Sequence, residues 1–253
     1  MVEREFLRRL RRYLDKRTKP NRDISIALRY LPIVEKICRF PPAVKILEVG
    51  SGEYGILPYL DNRYRITGVD IDFGSKSQSR MKAVKTSGSQ LPFTDSSFDI
   101  TLSVDTLEHL PEDMRRKALL EMVRVTRHSL YLAFPSGWAA RWSDEILFRY
   151  YRFTHKENFP FLEEHRKYVL PGSERVIGYL NQAMTRYKKP GSIREFGNTN
   201  FLLWIGLLLL GFSQVGFLTS IYRWLSLATR PLSWLRIPPY YRKVIVVDFK
   251  SKP

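Results

Sequence analysis

Apolar and polar positions follow two rhythms along the first half of this chain. Short aliphatic and β-branched runs at Lys45–Val49, Arg65–Asp70, Asp99–Val104 and Ser129–Phe134 are bounded by turn residues and predict strands. Between them the repeat lengthens to that of a helix. In Met114–Thr126, Leu119, Leu120, Met122 and Val123 fall inward, and Arg115, Arg116 and Lys117 are expected outward. A helix is also predicted from Ile24 to Phe40, capped by Asn21 or Asp23, with Pro32 as a kink and Pro41-Pro42 as the stop. Strands alternating with helices imply a parallel sheet with right-handed crossovers.

After Pro135 the rhythm breaks. Trp138 to Arg194 mixes aromatics, charges and turn signals and reads as an inserted cap. Phe201 to Ile221 is uncharged and largely apolar, but its densest part, Phe201–Phe212, is too short to cross a bilayer. The expectation is a buried helix followed by a strand from Gln214, with a last strand at Lys243–Phe249. The organisation expected is N-terminal helices over 1–40, a binding core over 41–137, an inserted substrate cap over 138–200 and completion of the sheet over 201–253.

Charge adds a second layer. The formal net charge is +17, which favours anionic partners such as nucleic acid, an anionic membrane surface or a phosphorylated substrate. From Glu3 to Arg17, Phe6, Leu7, Leu10, Tyr13 and Leu14 share a helical face surrounded by arginine and lysine. That segment suits a membrane- or nucleic-acid-binding arm, and equally a helix packed on the domain with a solvated basic face. The single cysteine, Cys38, excludes a disulfide framework and is expected to be a small core residue in a reducing, cytoplasmic compartment.

The chemistry-bearing signals begin at Ile46-Leu47-Glu48-Val49-Gly50-Ser51-Gly52-Glu53-Tyr54-Gly55, where an apolar strand runs into a glycine-bearing turn. Glycines there let backbone amides approach a ligand, as a dinucleotide would also require. Past the next strand, Asp70 stands where a carboxylate can accept both hydrogen bonds of a ribose diol. Further on come Leu91-Pro92-Phe93, then Phe98-Asp99 leading into a strand, then Asp105-Thr106-Leu107-Glu108-His109-Leu110-Pro111 and Arg124-Val125.

With these segments in this order, Lys45 to Pro135 resembles the class I S-adenosylmethionine-dependent methyltransferases, particularly the small-molecule group often labelled type 11. The resemblance implies a Rossmann-like α/β fold: a mostly parallel seven-stranded sheet with an antiparallel last strand and an inserted helical cap. It implies S-adenosylmethionine as cofactor, with Glu48, Gly50, Ser51 and Gly52 along its methionine and ribose side. Asp70 would hold the ribose hydroxyls and Ile71 would lie against adenine. Ser87-Gly88 stands where the family commonly has an Asp followed by a small residue, so the adenine contact is expected to be weaker here. Ser103 and Val104 would offer backbone carbonyls to the methionine amino group.

Methyl transfer needs an aligned nucleophile, a dry site and sometimes a base. Asp105 and His109, just past the fourth predicted strand, are the catalytic candidates; for His109 the competing role is to orient the loop. In the inserted segment, Tyr151 and Arg152 are the candidates for acceptor contact. Glu164-His165 suggests metal ligation but is expected to lack a second pair at ligand spacing, so no metal is expected. The function expected is methyl transfer to a small-molecule or lipid-linked acceptor, with reversible contact to anionic membrane. An RNA methyltransferase and a non-catalytic scaffold of the same fold are the alternatives.

Overall fold

The computed structural model describes residues 23–53, 55–74 and 80–250. The expected Glu3–Arg17 helix and the Asn21 cap lie outside the described residues. Helix α1 (Ile24–Ile37) is capped by Asp23, whose carboxylate accepts from the N–H groups of Ser25 at 2.8 Å and Ile26 at 3.3 Å. Pro32 sits within it without ending it. Cys38 occupies the C-cap and is exposed, contrary to the core position expected, because the helix's apolar stripe ends one residue earlier at the buried Ile37.

Seven strands form one sheet: β1 (Ile46–Val49), β2 (Ile66–Asp70), β3 (Met81–Lys85), β4 (Phe98–Val104), β5 (Thr126–Pro135), β6 (Gly191–Asn200) and β7 (Tyr240–Phe249). Their order is β3-β2-β1-β4-β5-β7-β6; the first five run parallel, and β7 is antiparallel to both β5 and β6. This is the Rossmann-like arrangement with one reversed strand. Helices cover both faces, as a parallel sheet requires. On one face, α2 (Glu112–Val125) and α5 (Ser173–Arg186) bury Leu119, Met122, Val176 and Leu180. On the other, Tyr30, Ile33 and Ile37 of α1 pack over Ile46, Ile100 and Val244.

Three further features differ from the sequence-based expectation. The inserted segment is shorter: α5 and β6 belong to the sheet and its cover, so only α3 (Gly137–His155) and α4 (Pro160–Lys167) stand apart. No strand starts at Gln214. Phe217, Leu218, Ile221, Tyr222 and Leu225 recur at helical spacing, and the chain forms α6 (Phe201–Gly211), α7 (Gly216–Leu225) and α8 (Thr229–Trp234) between β6 and β7. Arg115 is buried, because in helical phase it lies above Ala118, Leu119 and Met122. Its guanidinium donates to the carbonyls of Leu107 at 2.8 Å, and of Leu110 and Val169 at 3.0 Å each.

The second insertion leans on α1. The Tyr222 hydroxyl donates to the Asp23 carboxylate at 2.7 Å, and Trp234 Nε1 donates to Glu35 at 3.2 Å. Among the described residues no helix is long and apolar enough to cross a membrane.

Candidate functional site

A cavity of about 700 Å³ opens at the carboxyl ends of β1, β2 and β4, where ligands bind in open α/β sheets. One end is the glycine loop. Gly50 and Gly52 have positive φ, +76° and +53°, and a Cβ at Gly50 would stand 2.1 Å from Thr106 Oγ1. The N–H groups of Gly50 and Ser51 donate to the Val69 carbonyl, which turns the loop back over β2. Asp70 ends β2 and accepts from the Gly52 N–H at 2.7 Å and the Asp72 N–H at 3.1 Å. Beside it Ile71 lines the cavity and is 70% exposed, a bare apolar side chain placed for a flat ring.

Ser87 and Gly88 also line the cavity, with Ser87 Oγ 2.9 Å from Ser89 Oγ. A Cβ at Gly88 would stand 2.7 Å from Val49, so the closeness of this wall depends on glycine. Ser103 and Val104 complete this side; Ser103 Oγ is buried with no hydrogen-bond partner among the described residues, and the Val104 carbonyl accepts from the Thr106 hydroxyl. The bare apolar surface, the strand-tip carboxylate and the orphaned hydroxyl fit an adenosine-bearing cofactor.

Glu48 is placed differently from the expectation. It is fully buried behind the loop and does not line the cavity. Its carboxylate accepts from the Ile56 N–H at 2.8 Å, and a Cβ at Gly55 would stand 2.1 Å from Oε2. Burial pushes its pKa up to about 8, against the lowering effect of hydrogen bonds from Ile56 and Tyr30.

The opposite end is charged. Asp105 lines the cavity with both carboxylate oxygens occupied by Arg242 Nε and Nη2, each at 2.7 Å, and with Arg29 Nη1 at 3.1 Å. Arg242 is fully buried, its guanidinium 4.9 Å from the Trp204 ring centroid. Burial alone would raise the Asp105 pKa, but Arg242 and Arg29 outweigh it and hold the carboxyl below the ordinary range. A carboxylate so paired is a poor proton acceptor, which counts against a role as general base.

His109 lines the cavity with Nδ1 2.6 Å from Glu164 Oε2. Burial, and then the charge of His165, lower its pKa. Next to it Glu108 is fully buried, and among the described residues neither carboxylate oxygen has a hydrogen-bond partner. Burial, then repulsion from Asp105, drive its pKa well above the usual value. His165 comes in from α4, with Nδ1 2.8 Å from Asp144 Oδ2 and Nε2 4.0 Å from Glu108 Oε1. Asp144 is in turn held by the Tyr241 hydroxyl at 2.8 Å. The fold thus sets Glu108-His109 against Glu164-His165.

Tyr151 and Arg152 do not line the cavity. Tyr151 stacks on His155 at 4.0 Å and meets Phe159 and Phe212, while Arg152 is exposed. Helix α3 has carried them roughly 20 Å along its axis from the sheet. The insertion contributes Phe161 and Glu164 instead. Ile26, Arg29 and Tyr30 of α1 complete the lining and were not anticipated. Arg242 was legible: it shares strand parity with Val244 and Val246, so a charge there had to be buried and paired.

The family profile described as "Methyltransferase domain" matches residues 47–134. A protein of Mycobacterium sp. (strain JLS), described as an uncharacterized methyltransferase, is 34% identical over 93 residues. That match covers 34% of this chain and 36% of the relative, so the chain spans about a third of the curated protein it matches. Among solved structures, the plantazolicin methyltransferase BpumL in complex with SAH aligns over 96% of this chain and 90% of its own, at TM-score 0.53 and 14% identity. The [4+2]-cyclase SpnF aligns over 89% of this chain and 82% of its own, also at 0.53 and 14%. At such identities the likeness is one of fold. Residues 47–134 are thus a methyltransferase domain, and the chain around them takes the fold of the class I S-adenosylmethionine-dependent methyltransferases.

Proposed function

We propose that this chain transfers a methyl group by direct displacement to a small-molecule or lipid-linked acceptor. The observation that carries this reading is one cavity with the cofactor-type residues at one end and Arg29, His109, Phe161 and Glu164 at the other. Its volume is in the range of small-molecule sites and suits a cofactor with the reacting part of an acceptor. The bound cofactor supplies the electrophilic methyl group. The protein's work is alignment and exclusion of water. The glycine loop and Asp70 fix one partner, while Phe161 and Glu164 of the insertion close on the other. With Asp105 committed to its arginines, His109 remains at the acceptor end of the two residues expected to act there.

Support for a lipid-linked acceptor comes from the second insertion. Phe217 is 73% exposed, and Trp224, Leu227, Trp234, Leu235 and Ile237 are exposed with Arg223, Arg230 and Arg236 among them. Apolar and aromatic residues mixed with arginine suit the interface of an anionic bilayer. These helices rest on α1, whose Ile26, Arg29 and Tyr30 line the cavity. On this reading the chain contacts the membrane peripherally, beside the acceptor's end of the site.

The test is transfer of tritium from labelled S-adenosylmethionine into fractionated cell extract. Label is expected in the lipid or small-metabolite fraction. Label confined to RNA would replace this acceptor class with the one the net charge of +17 also favours. Intact cofactor binding with no transfer to any fraction would favour the non-catalytic alternative, and the presence of a cyclase among proteins of this fold shows why the fold alone does not decide.

A further inference from the structure

We propose that Glu108, His109 and His165 form a binding site for one divalent transition-metal ion at the acceptor end of the cavity. Glu108 is 0% exposed and neither of its oxygens has a hydrogen-bond partner among the described residues. A buried carboxyl group without partners is costly and calls for a proton or a cation. Arg242 and Arg29 are directed at Asp105 and Arg115 at the carbonyls of Leu107, Leu110 and Val169; among the described residues Arg242 Nη1 is left buried without a hydrogen-bond partner, and no guanidinium hydrogen-bonds Glu108. Two imidazoles face Glu108 instead.

Both imidazoles are set as metal ligands usually are. His165 hydrogen-bonds Asp144 through Nδ1 at 2.8 Å, which leaves its Nε2 for a cation, and His109 sets Nδ1 2.6 Å from Glu164 Oε2 as an ion-pair contact. A carboxylate behind a histidine fixes the tautomer and makes the other nitrogen a better donor. Asp144 is itself anchored by Tyr241, and Arg115 ties the Leu107–Leu110 turn to Val169, beyond α4. The two Glu-His pairs are therefore held against each other from behind.

One ligand atom from each of Glu108, His109 and His165 lies within 4.8 Å of the other two. Metal–ligand bonds of about 2.0–2.2 Å place ligands roughly 3–3.5 Å apart, so the set would draw together by about an ångström around an ion. Two nitrogens and one carboxylate suit zinc, manganese or iron better than calcium or magnesium, which prefer oxygen alone. Three protein ligands leave positions open. Because His109 lines the cavity, an oxygen or nitrogen donor of the acceptor is the fitting occupant; only this last clause rests on the methyl-transfer reading.

The experiment is calorimetric titration of the chelator-treated full chain with zinc and with manganese chloride, beside S-adenosylhomocysteine as an independent ligand. The wild type is expected to take up one equivalent at micromolar affinity or tighter, and to melt at a higher temperature with metal. Glu108→Gln and His165→Ala should weaken metal binding at least 100-fold, and Asp144→Asn by 10- to 100-fold. S-adenosylhomocysteine affinity should be unchanged in all three. Should His165→Ala not fold, the near-isosteric Glu108→Gln carries the comparison. No uptake by the wild type, or equal uptake by wild type and Glu108→Gln, overturns the site, while leaving the cofactor assignment standing.

Discussion

Replacing Glu48 with glutamine removes a titrating group from behind the glycine loop while keeping its shape and its acceptor for the Ile56 N–H. In the fold burial moves the Glu48 pKa from the ordinary 4.5 to about 8. The native state therefore holds a proton that the unfolded chain has released over that interval. A carboxyl raised in this way favours the fold fully below about pH 4.5, and that contribution is lost as pH rises through about 8, beyond which it levels off. The displacement corresponds to roughly 4 kcal/mol of unfolding free energy between pH 5 and pH 9. The assay is urea denaturation of wild type and Glu48→Gln across that range without cofactor, so that the difference between the two cancels every other titrating group. The variant should match the wild type to within about 1 kcal/mol at pH 5 and exceed it by several at pH 9. Parallel stability curves over the whole range would refute the reasoning, since they would mean that Glu48 titrates alike in both states.

Asp70→Ala should weaken S-adenosylmethionine binding by about 2–4 kcal/mol, on the order of 30- to 1000-fold by calorimetry, with folding retained; unchanged affinity would remove Asp70 from the site. Asp105→Asn withdraws the charge facing the buried Arg242 and should cost roughly 3–5 kcal/mol in denaturant melts, whereas a loss below about 1 kcal/mol would mean the pair contributes little. Two glycines should separate stability from binding. Gly55→Ala drives a methyl group into Glu48 at a positive φ and should lower the melting temperature strongly. Gly52→Ala meets no atom within 4 Å and should cost about 1 kcal/mol of backbone strain, with a larger proportional effect on cofactor affinity. Sedimentation with anionic vesicles should show binding that salt weakens; the absence of any binding would return Phe217 and Trp234 to ordinary surface.

The parts of the molecule legible in the sequence are those whose signal is local. Strands β1, β2, β4 and β5 are apolar runs bounded by turns, and the loop from Gly50 to Gly55 needs only its own glycines to be recognised. Strand β3 escaped notice because it lies at the sheet's edge, where Met81-Lys82-Ala83-Val84-Lys85 is half exposed and carries little alternation. Strand β6 escaped for the same reason, with Arg194 and Glu195 facing solvent. The residues expected at the cofactor end sit on one contiguous βαβ stretch, so their motifs stand out in the sequence, although Glu48 lies behind the loop rather than in the cavity. At the other end only Asp105 and His109 were expected, because Arg29, Phe161 and Glu164 reach the cavity from separate segments. Nothing in the spacing of Glu108-His109 and Glu164-His165 shows that α4 folds back over the turn after β4. That proximity is a property of the packing, and only Arg242, by its strand parity, left a trace of it.

Strand β7 is the last of the sheet's strands in sequence, yet it lies between β5 and β6. Synthesis from the N-terminus therefore delivers β1 to β5, with every cofactor-side residue, long before the strand that joins them to β6. At common translation rates the interval between Pro135 and Tyr240 is on the order of ten seconds. Throughout it Asp105 lacks Arg242, Asp144 lacks Tyr241, and the apolar edge of β5 at Leu130–Phe134 has no strand beside it. An unpaired edge of that composition invites pairing with another nascent chain. The emerging polypeptide thus passes through a stage in which β1 to β5 can pair with one another while the edge of β5 remains open to mispairing.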